Sequence, residues 1–101
     1  MDTKLRIILT QEEMNRITSR IKDGKPEMTV DLHKLTVKQA RRLLGNIIAV
    51  GDSGADIKAI HGYNHGTAIK SMILNDLHSP RILTKETDIN NPGLTDIRLA
   101  A

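Results

Sequence analysis

The fold is decided by residues 28–60, MTVDLHKLTVKQARRLLGNIIAVGDSGADIKAI, which read as a strand, a helix and a second strand. At the start of this stretch, apolar Val30 and Leu32 alternate with polar neighbours, a period of two that is typical of a half-buried strand. Thr36 then precedes a helical pattern of apolar residues, and a loop with two glycines leads to the second strand. This spacing predicts a parallel pair of strands joined by a right-handed crossover.

The flanking segments extend this unit into an alternating order. We predict a strand at residues 4–9, a helix from Thr10 that stops before Gly24, strands at 28–32 and 56–60, helices from Thr36 and from Thr67 to about residue 77, and strands at 81–84 and 94–99. The order β-α-β-α-β-α-β-β predicts an α/β fold, a single domain built as a two-layer α/β sandwich with a mixed, mainly parallel sheet. Residues 1–27 are predicted to be an N-terminal β-α extension, either packed on the core or a mobile arm, and residues 28–101 to be the main domain.

Composition limits the classes of function. The length of 101 residues suits one domain, and 39% hydrophobic with 27% charged residues is typical of a globular protein. The absence of cysteine excludes disulfides and zinc sites built on thiolates. Apolar runs are too short for a membrane helix or a signal peptide, so we expect a cytoplasmic protein with no membrane partner. A net charge of +3 permits nucleic-acid binding, but Tyr63 is the one aromatic residue, so contacts would depend on charge, backbone amides and shape.

Groups suited to acid–base chemistry follow both strands of the decisive stretch. Asp31 and His33 lie one residue apart at the end of the first strand, so their side chains share a face. His61 and Gly62 follow the second strand. Because open α/β sheets bind ligands beyond the carboxyl ends of their parallel strands, we expect these residues to converge.

The loop HGYNHG at residues 61–66 is a candidate phosphate site. Gly62, Asn64 and Gly66 tolerate positive φ, which lets successive amides face one point beside the helix that starts at Thr67. The structural alternatives are that this loop is only a tight turn and that Asp31 only bonds to nearby loop amides.

Three motifs resemble those of the Smr (small MutS-related) domain family. DLHK at residues 31–34, followed by LTVKQA, is similar to the family's DLHG and LTVxxA; HGYNHG is similar to HGxGxG; and NPGLTDIRL at residues 91–99 resembles the family's closing glycine and last strand. The resemblance covers residues 28–101. It implies an α/β sandwich with a mixed four-stranded sheet, nucleic-acid binding and, as in several members, endonuclease activity.

The resemblance also assigns roles to residues. Asp31 and His33 take the catalytic motif, and His61, Gly62 and Gly66 take the phosphate-contacting loop. In the mechanism that we expect, His61 also stabilises transition-state charge or transfers a second proton. The expected phosphate-binding residues are Lys34, Gly62, Tyr63, Asn64, His65, Gly66, Thr67 and Lys70. Two positions depart from the family pattern, since Lys34 and Asn64 stand where it has glycine. Lys34 either strains a position that requires positive φ or adds a phosphate contact.

We therefore expect an endonuclease that cleaves RNA or nicks DNA, with nucleic acid as its partner and the ribosome or the repair machinery as candidate assemblies. RNA cleavage requires no metal cofactor because the 2′-hydroxyl is an internal nucleophile. DNA nicking needs an activated water, and Asp31 with His33 would then recruit a divalent ion. The alternatives are a non-catalytic nucleic-acid-binding module and an enzyme acting on a small phosphorylated molecule.

Overall fold

A five-stranded mixed sheet forms the centre of the computed structural model, which describes residues 2–62 and 67–101. The elements in chain order are α1 (Asp2–Ile8), α2 (Gln11–Met14), β1 (Ile17–Lys22), β2 (Lys25–Asp31), α3 (Val37–Val50), β3 (Asp56–Ile60), α4 (Thr67–Ser71) continued by a π-helical turn (Met72–Asp76), β4 (Ile82–Thr87) and β5 (Leu94–Leu99). The predicted strands at residues 56–60 and 94–99 and the helix that follows Thr36 are confirmed. Residues 2–62 and 67–101 thus form a single α/β unit with four α-helices.

The order of strands in the sheet is β1-β2-β3-β5-β4. Only β2 and β3 pair in parallel; β1 with β2, β3 with β5 and β4 with β5 are antiparallel. The prediction of a mainly parallel sheet is therefore wrong. Its cause is that β1 to β2 and β4 to β5 are connected without a crossover helix, and such short connections join antiparallel strands.

The hydrophobic core lies against one face of this sheet. Met28 and Val30 of β2, Ile57 and Ala59 of β3 and Ile97 of β5 are buried in one cluster with apolar side chains of α1, α3 and α4. The residues between them, such as Thr29, Asp31, Lys58 and Asp96, are on the opposite face and are half-buried. The period of two predicted for residues 28–32 is confirmed, and it separates a polar sheet face from the core.

Helix α3 is the long crossover between the parallel strands. The Thr36 hydroxyl accepts the Gln39 amide at 3.1 Å, and the Gln39 side chain accepts the Thr36 amide at 2.9 Å, so two amides at the helix start are satisfied. The buried side chains of this helix are Ala40, Leu43, Leu44, Ile47 and Ile48. At its other end, Arg81 donates to the carbonyls of Ile48, Ala49 and Gly51. Both ends of the crossover are therefore held by named side chains.

The first predicted element is wrong, because residues 4–9 lie in a helical turn and not in a strand. Leu5 and Leu9 are both buried, and the Leu9 amide donates to the Leu5 carbonyl at 2.8 Å. A spacing of four places both leucines on one helix face, whereas Ile7 between them is 79% exposed. A short apolar run does not separate helix from strand by its period alone, and tertiary packing decides here.

The second predicted element is half right. The capping box at Thr10 and Glu13 is present, but the helix that it starts ends at Met14. Residues 17–22 form a strand instead of a continued helix, and they pair with β2 through a two-residue turn at Asp23 and Gly24. These two residues have φ of 52° and 78°, the left-handed pair that a tight hairpin requires. The Asp-Gly dipeptide is a hairpin signal, so the helix end predicted before Gly24 is instead this turn.

The helix predicted from Thr67 to about residue 77 is present, but its second half has π geometry. The Leu77 amide donates to the Met72 carbonyl, five residues back, at 2.9 Å. Lys85 on β4 donates to the carbonyls of Ile73, Leu74 and Leu77. The lysine thus satisfies carbonyls that the end of a helix leaves without intrahelical donors. Among the described residues, none of the helices has the length and apolar character needed to cross a membrane.

The packing of α1 leads to a test of whether the N-terminal segment belongs to the core. Leu5→Ala should lower the free energy of unfolding by about 2–5 kcal/mol, the usual cost of truncating a fully buried leucine. Urea-induced unfolding followed by circular dichroism measures it. Ile7→Ala, on the exposed face of the same helix, is the matched control and should change stability by less than about 0.5 kcal/mol. Equal and small effects would show that α1 does not pack on the sheet in solution.

Candidate active site

Asp31 and His33 form a hydrogen-bonded pair where β2 ends. Oδ1 of Asp31 accepts from Nδ1 of His33 at 2.5 Å and from the His33 amide at 3.1 Å. Since a carboxylate can only accept, the ring proton lies on Nδ1, and Nε2 of the neutral ring keeps its lone pair. The side chain of His33 is 53% exposed, so the ring is accessible to a ligand. The amide contact is the local role that the sequence left open for Asp31, and it coexists with the pairing.

Charge and hydrogen bonding act together on Asp31. Partial burial acts to raise the pKa of its carboxyl, but the hydrogen bonds from His33, followed by the charges of His33 and Arg16, bring the pKa below its ordinary value. The carboxyl is therefore ionised at neutral pH and can stabilise a positive charge on the imidazole beside it.

Lys34 follows the pair in a strained turn. The Leu35 amide donates to the Leu32 carbonyl at 3.2 Å, which closes a turn with His33 and Lys34 at its centre. Lys34 has a φ of 68°, a region that favours glycine. Of the two alternatives raised by the sequence, strain at this position is present, and the phosphate contact stays a prediction.

His61 lies at the end of β3 and is buried, with 2% of its surface exposed. Its Nδ1 donates to the Gly62 carbonyl at 2.7 Å, and its Nε2 is 2.8 Å from the Thr95 hydroxyl, which then donates to it. Burial lowers the pKa of His61, the Gly62 carbonyl opposes this, and the charge of Lys70 lowers it further. A neutral ring with both nitrogens engaged is suited to holding the loop. The predicted catalytic role of His61 would require Thr95 to reorient.

The parallel pairing brings both predicted segments to one edge of the sheet. Asp31 is opposite Ile60, and the Leu32 amide donates to the Ile60 carbonyl at 2.8 Å, so His33 and His61 follow adjacent strand ends. The two segments therefore leave the sheet at the same edge, whereas a common site formed by Asp31, His33 and His61 stays a prediction. Beside Asp31 and His33 lies a groove of about 470 Å³ on the polar sheet face. Its lining residues are Glu12, Asn15, Arg16, Thr18, Thr29, Asp31, His33 and Ile60.

Gly62 turns the chain away from β3 with a φ of 77°. Its amide and that of His61 both donate to the Gly93 carbonyl, at 3.0 and 2.9 Å, which ties the closing glycine to the loop. The Gly62 amide is therefore engaged and does not face a ligand. A Cβ on Gly93 would lie 3.1 Å from the Gly62 Cα, so a larger residue there would require the two segments to move apart by a few tenths of an ångström.

The remaining loop residues predicted to bind phosphate, Tyr63, Asn64, His65 and Gly66, lie outside the described residues. Thr67 is exposed at the first position of α4, and Lys70 is half-buried one turn later. The charge of Lys70 is close enough to His61 to lower the pKa of that ring.

A second cluster of charges lies at the opposite end of β3. Lys58 contacts Asp56 and Asp96 at 3.3 and 2.8 Å. Burial and the neighbouring Asp96 carboxyl raise the pKa of Asp56 to about 6, although Lys58 acts against the shift. Across residues 2–62 and 67–101, no three His, Asp or Glu side chains are arranged so that they could hold a metal ion.

Arg16 contacts the motif, which the sequence does not predict. Its guanidinium donates to the carbonyls of Asp31 and His33 at 3.0 and 3.1 Å. Arg16 lies inside the segment predicted as a helix from Thr10, and no local signal links it to a motif fifteen residues away.

Comparison with protein-family models yields no match, and no curated protein matches the chain. The function proposed below therefore depends on the residues and their geometry.

The left-handed turn at Lys34 generates the second prediction. Lys34→Gly should raise the free energy of unfolding by about 1 kcal/mol, because glycine removes the strain of a positive φ at some cost in chain entropy. Thermal and urea unfolding measure the change. Asp23→Gly, at the other non-glycine residue with positive φ among those described, is the control and should gain less, since aspartate tolerates this region better. A destabilised Lys34→Gly protein would contradict the assignment of strain.

Proposed function

We propose that this protein is a cytoplasmic nucleic-acid-binding endonuclease of the Smr type, in which His33 is the general base and Asp31 orients it. The observation that carries the proposal is the 2.5 Å contact between Asp31 Oδ1 and His33 Nδ1. It selects the tautomer in which Nε2 accepts a proton, and it stabilises the imidazolium that results. The two-layer sandwich expected for this family is part of the proposal.

With RNA, the reaction needs only groups that the pair and the substrate supply. His33 Nε2 takes the proton of a 2′-hydroxyl, and the 2′-oxygen attacks the adjacent phosphorus. The bond from phosphorus to the 5′-oxygen breaks, and this oxygen leaves with a proton from solvent. The products are a 2′,3′-cyclic phosphate and a 5′-hydroxyl. The half-exposed His33 ring supports this step, because it is open to both substrate and water.

Binding of the phosphate is proposed for the loop HGYNHG, Thr67, Lys70 and Lys34. The Gly62 amide already bonds to Gly93, so the proposed donors are the amides that follow it. The turn at Lys34 presents an exposed lysine directly after His33, which supports a phosphate contact beside the reacting group. Nicking of DNA remains the alternative reaction, in which Asp31 and His33 recruit a divalent ion for an activated water.

A second candidate function is a non-catalytic nucleic-acid-binding module. The observation that favours it is the same exposed Lys34, since a lysine held in a strained turn indicates a contact retained for binding. Binding alone does not separate the two functions, and product analysis does. Labelled single- and double-stranded RNA and DNA, with and without EDTA, distinguish metal-free RNA cleavage, metal-dependent nicking and intact substrate.

The catalytic pair gives the third prediction. Asp31→Ala and His33→Ala should each reduce cleavage by about 100-fold or more, because general base catalysis contributes roughly 10²–10⁴-fold. Oligonucleotide affinity should change by less than about threefold, because the proposed phosphate contacts are made by other residues. Cleavage rates and fluorescence anisotropy measure the two quantities.

His78→Ala is the matched control for this pair, because His78 is an exposed histidine beyond the helix that follows the loop. It should cleave like the wild type. A folded Asp31→Ala, His33→Ala double variant with full activity would exclude the proposed mechanism. A wild type that binds but leaves RNA and DNA intact would establish the binding module instead.

The loop gives the fourth prediction. Gly62→Val should weaken oligonucleotide binding by about 1–3 kcal/mol, the cost of one or two charge-assisted hydrogen bonds, because a β-branched residue at this φ redirects the loop. Gly54→Val is the matched control. Gly54 has a φ of 76°, its amide bonds to the Ala100 carbonyl, and a Cβ there meets open space, as at Gly62.

Both valine variants should lose similar stability, and only Gly62→Val should lose affinity. Lys38→Ala, on α3, should cost less affinity and should reduce the slope of affinity against salt, because it removes diffuse charge. If both valine variants fold and bind oligonucleotides equally well, HGYNHG is only a turn and does not bind phosphate.

A further inference from the structure

The main-chain ladder between β1 and β2 is incomplete next to the Asp31–His33 pair. The Asp31 amide donates to the Arg16 carbonyl at 2.9 Å, which continues the antiparallel pairing by one residue beyond Ile17. The reciprocal bond is not made by the main chain, because the Arg16 amide turns back to the Glu13 carbonyl at 3.1 Å. The Asp31 carbonyl therefore needs another donor at the point where the strand leaves the sheet.

The guanidinium of Arg16 supplies that donor. One nitrogen, Nη1, donates to the Asp31 carbonyl at 3.0 Å and to the His33 carbonyl at 3.1 Å, so the two ends of the motif are held by one group. Its Nε donates to Oε1 of Glu12 at 2.9 Å. The Arg16 side chain is 19% exposed. A planar group fixed at two of its nitrogens has little freedom to rotate, and a lysine ammonium cannot reproduce this arrangement.

The position of the Arg16 guanidinium matters because the turn that it holds is strained. Lys34 has positive φ directly after His33, and a strained backbone persists where its surroundings hold it in place. Fixing the His33 carbonyl limits rotation of the peptide between His33 and Lys34. It thereby limits where the His33 ring lies relative to Asp31.

We infer that Arg16 is a positioning residue for the Asp31–His33 pair, so that the N-terminal segment outside the Smr-like region completes the active site. Arg16 acts through the backbone of the motif and transfers no proton. Its effect on catalysis rests on the proposed function, whereas its effect on the His33 ring does not.

The test uses the full chain with Arg16→Gln and Arg16→Lys. Arg20→Gln is the matched control, because Arg20 lies on β1, the strand that directly follows Arg16, and its Nε also donates to a glutamate, Glu27, at 2.8 Å, without contacting the motif. The first readout is ¹⁵N NMR of the imidazole of His33 at neutral pH. In the wild type and in Arg20→Gln, Nδ1 should carry the proton. In both Arg16 variants the ring should become a mixture of tautomers.

The second readout is steady-state cleavage. Both Arg16 variants should lose about 10- to 100-fold in kcat, the range caused by small misplacements of a reacting group, with KM changed by less than about threefold. Arg20→Gln should retain wild-type kcat. If Arg16→Lys does not restore kcat, the planar guanidinium is required and a positive charge alone is not sufficient.

Glu12→Gln keeps the result interpretable if an Arg16 variant does not fold. The Glu12 side chain is 66% exposed, so its substitution should not affect folding. The neutral side-chain amide of the glutamine holds the Arg16 guanidinium less firmly than the carboxylate does, so an intermediate shift towards mixed tautomers is expected. If the wild-type protein does not cleave nucleic acid, the proposed function is wrong. The NMR measurement of the His33 tautomer would still decide whether Arg16 positions the ring. An unchanged His33 tautomer in folded Arg16 variants would overturn the inference.

Discussion

The parallel pairing of β2 with β3 is the constraint on which the rest of the structure depends. Because the two strands are parallel, the chain must return from the end of β2 to the edge of the sheet where β2 begins. Helix α3 makes this crossover, and five of its fourteen residues have buried side chains. Parallel strands end at the same edge, so this pairing places the His33 turn beside the loop that begins at His61. The antiparallel partners on either side then each add one contact to that edge, Arg16 next to β1 and Thr95 on β5.

Much of this central unit could be predicted from the sequence because its signals are local. The alternation at Val30 and Leu32, the helix start at Thr36 and the limits of β3 each follow from a short stretch of sequence, and all three agree with the structure. The shared face of Asp31 and His33 follows from the strand period. The convergence of both loops follows from the crossover, which needs no knowledge of individual side-chain contacts.

The remainder depends on contacts between distant residues. Residues 4–9 are helical because Leu5 and Leu9 fill a space in the core, a fact that propensity does not contain. The burial of His61 requires Thr95, thirty-four residues later, and the role of Arg16 requires the hairpin that we had predicted as a helix. Lys34 is a different case. Its positive φ was foreseeable only through the family's glycine, since the side chain itself gives no such signal.

The hairpin at Asp23 and Gly24 has a consequence for how the sheet is protected. Residues 28–101 supply four strands, and β1 covers the outer side of β2 along its whole length. A fragment that begins at residue 28 would leave the backbone donors and acceptors of β2 bare at a sheet edge. Such an edge recruits strands from other molecules. In the structure β1, with exposed Arg20 and Lys22, forms this edge of the sheet in place of β2. A boundary drawn from sequence similarity alone would remove it.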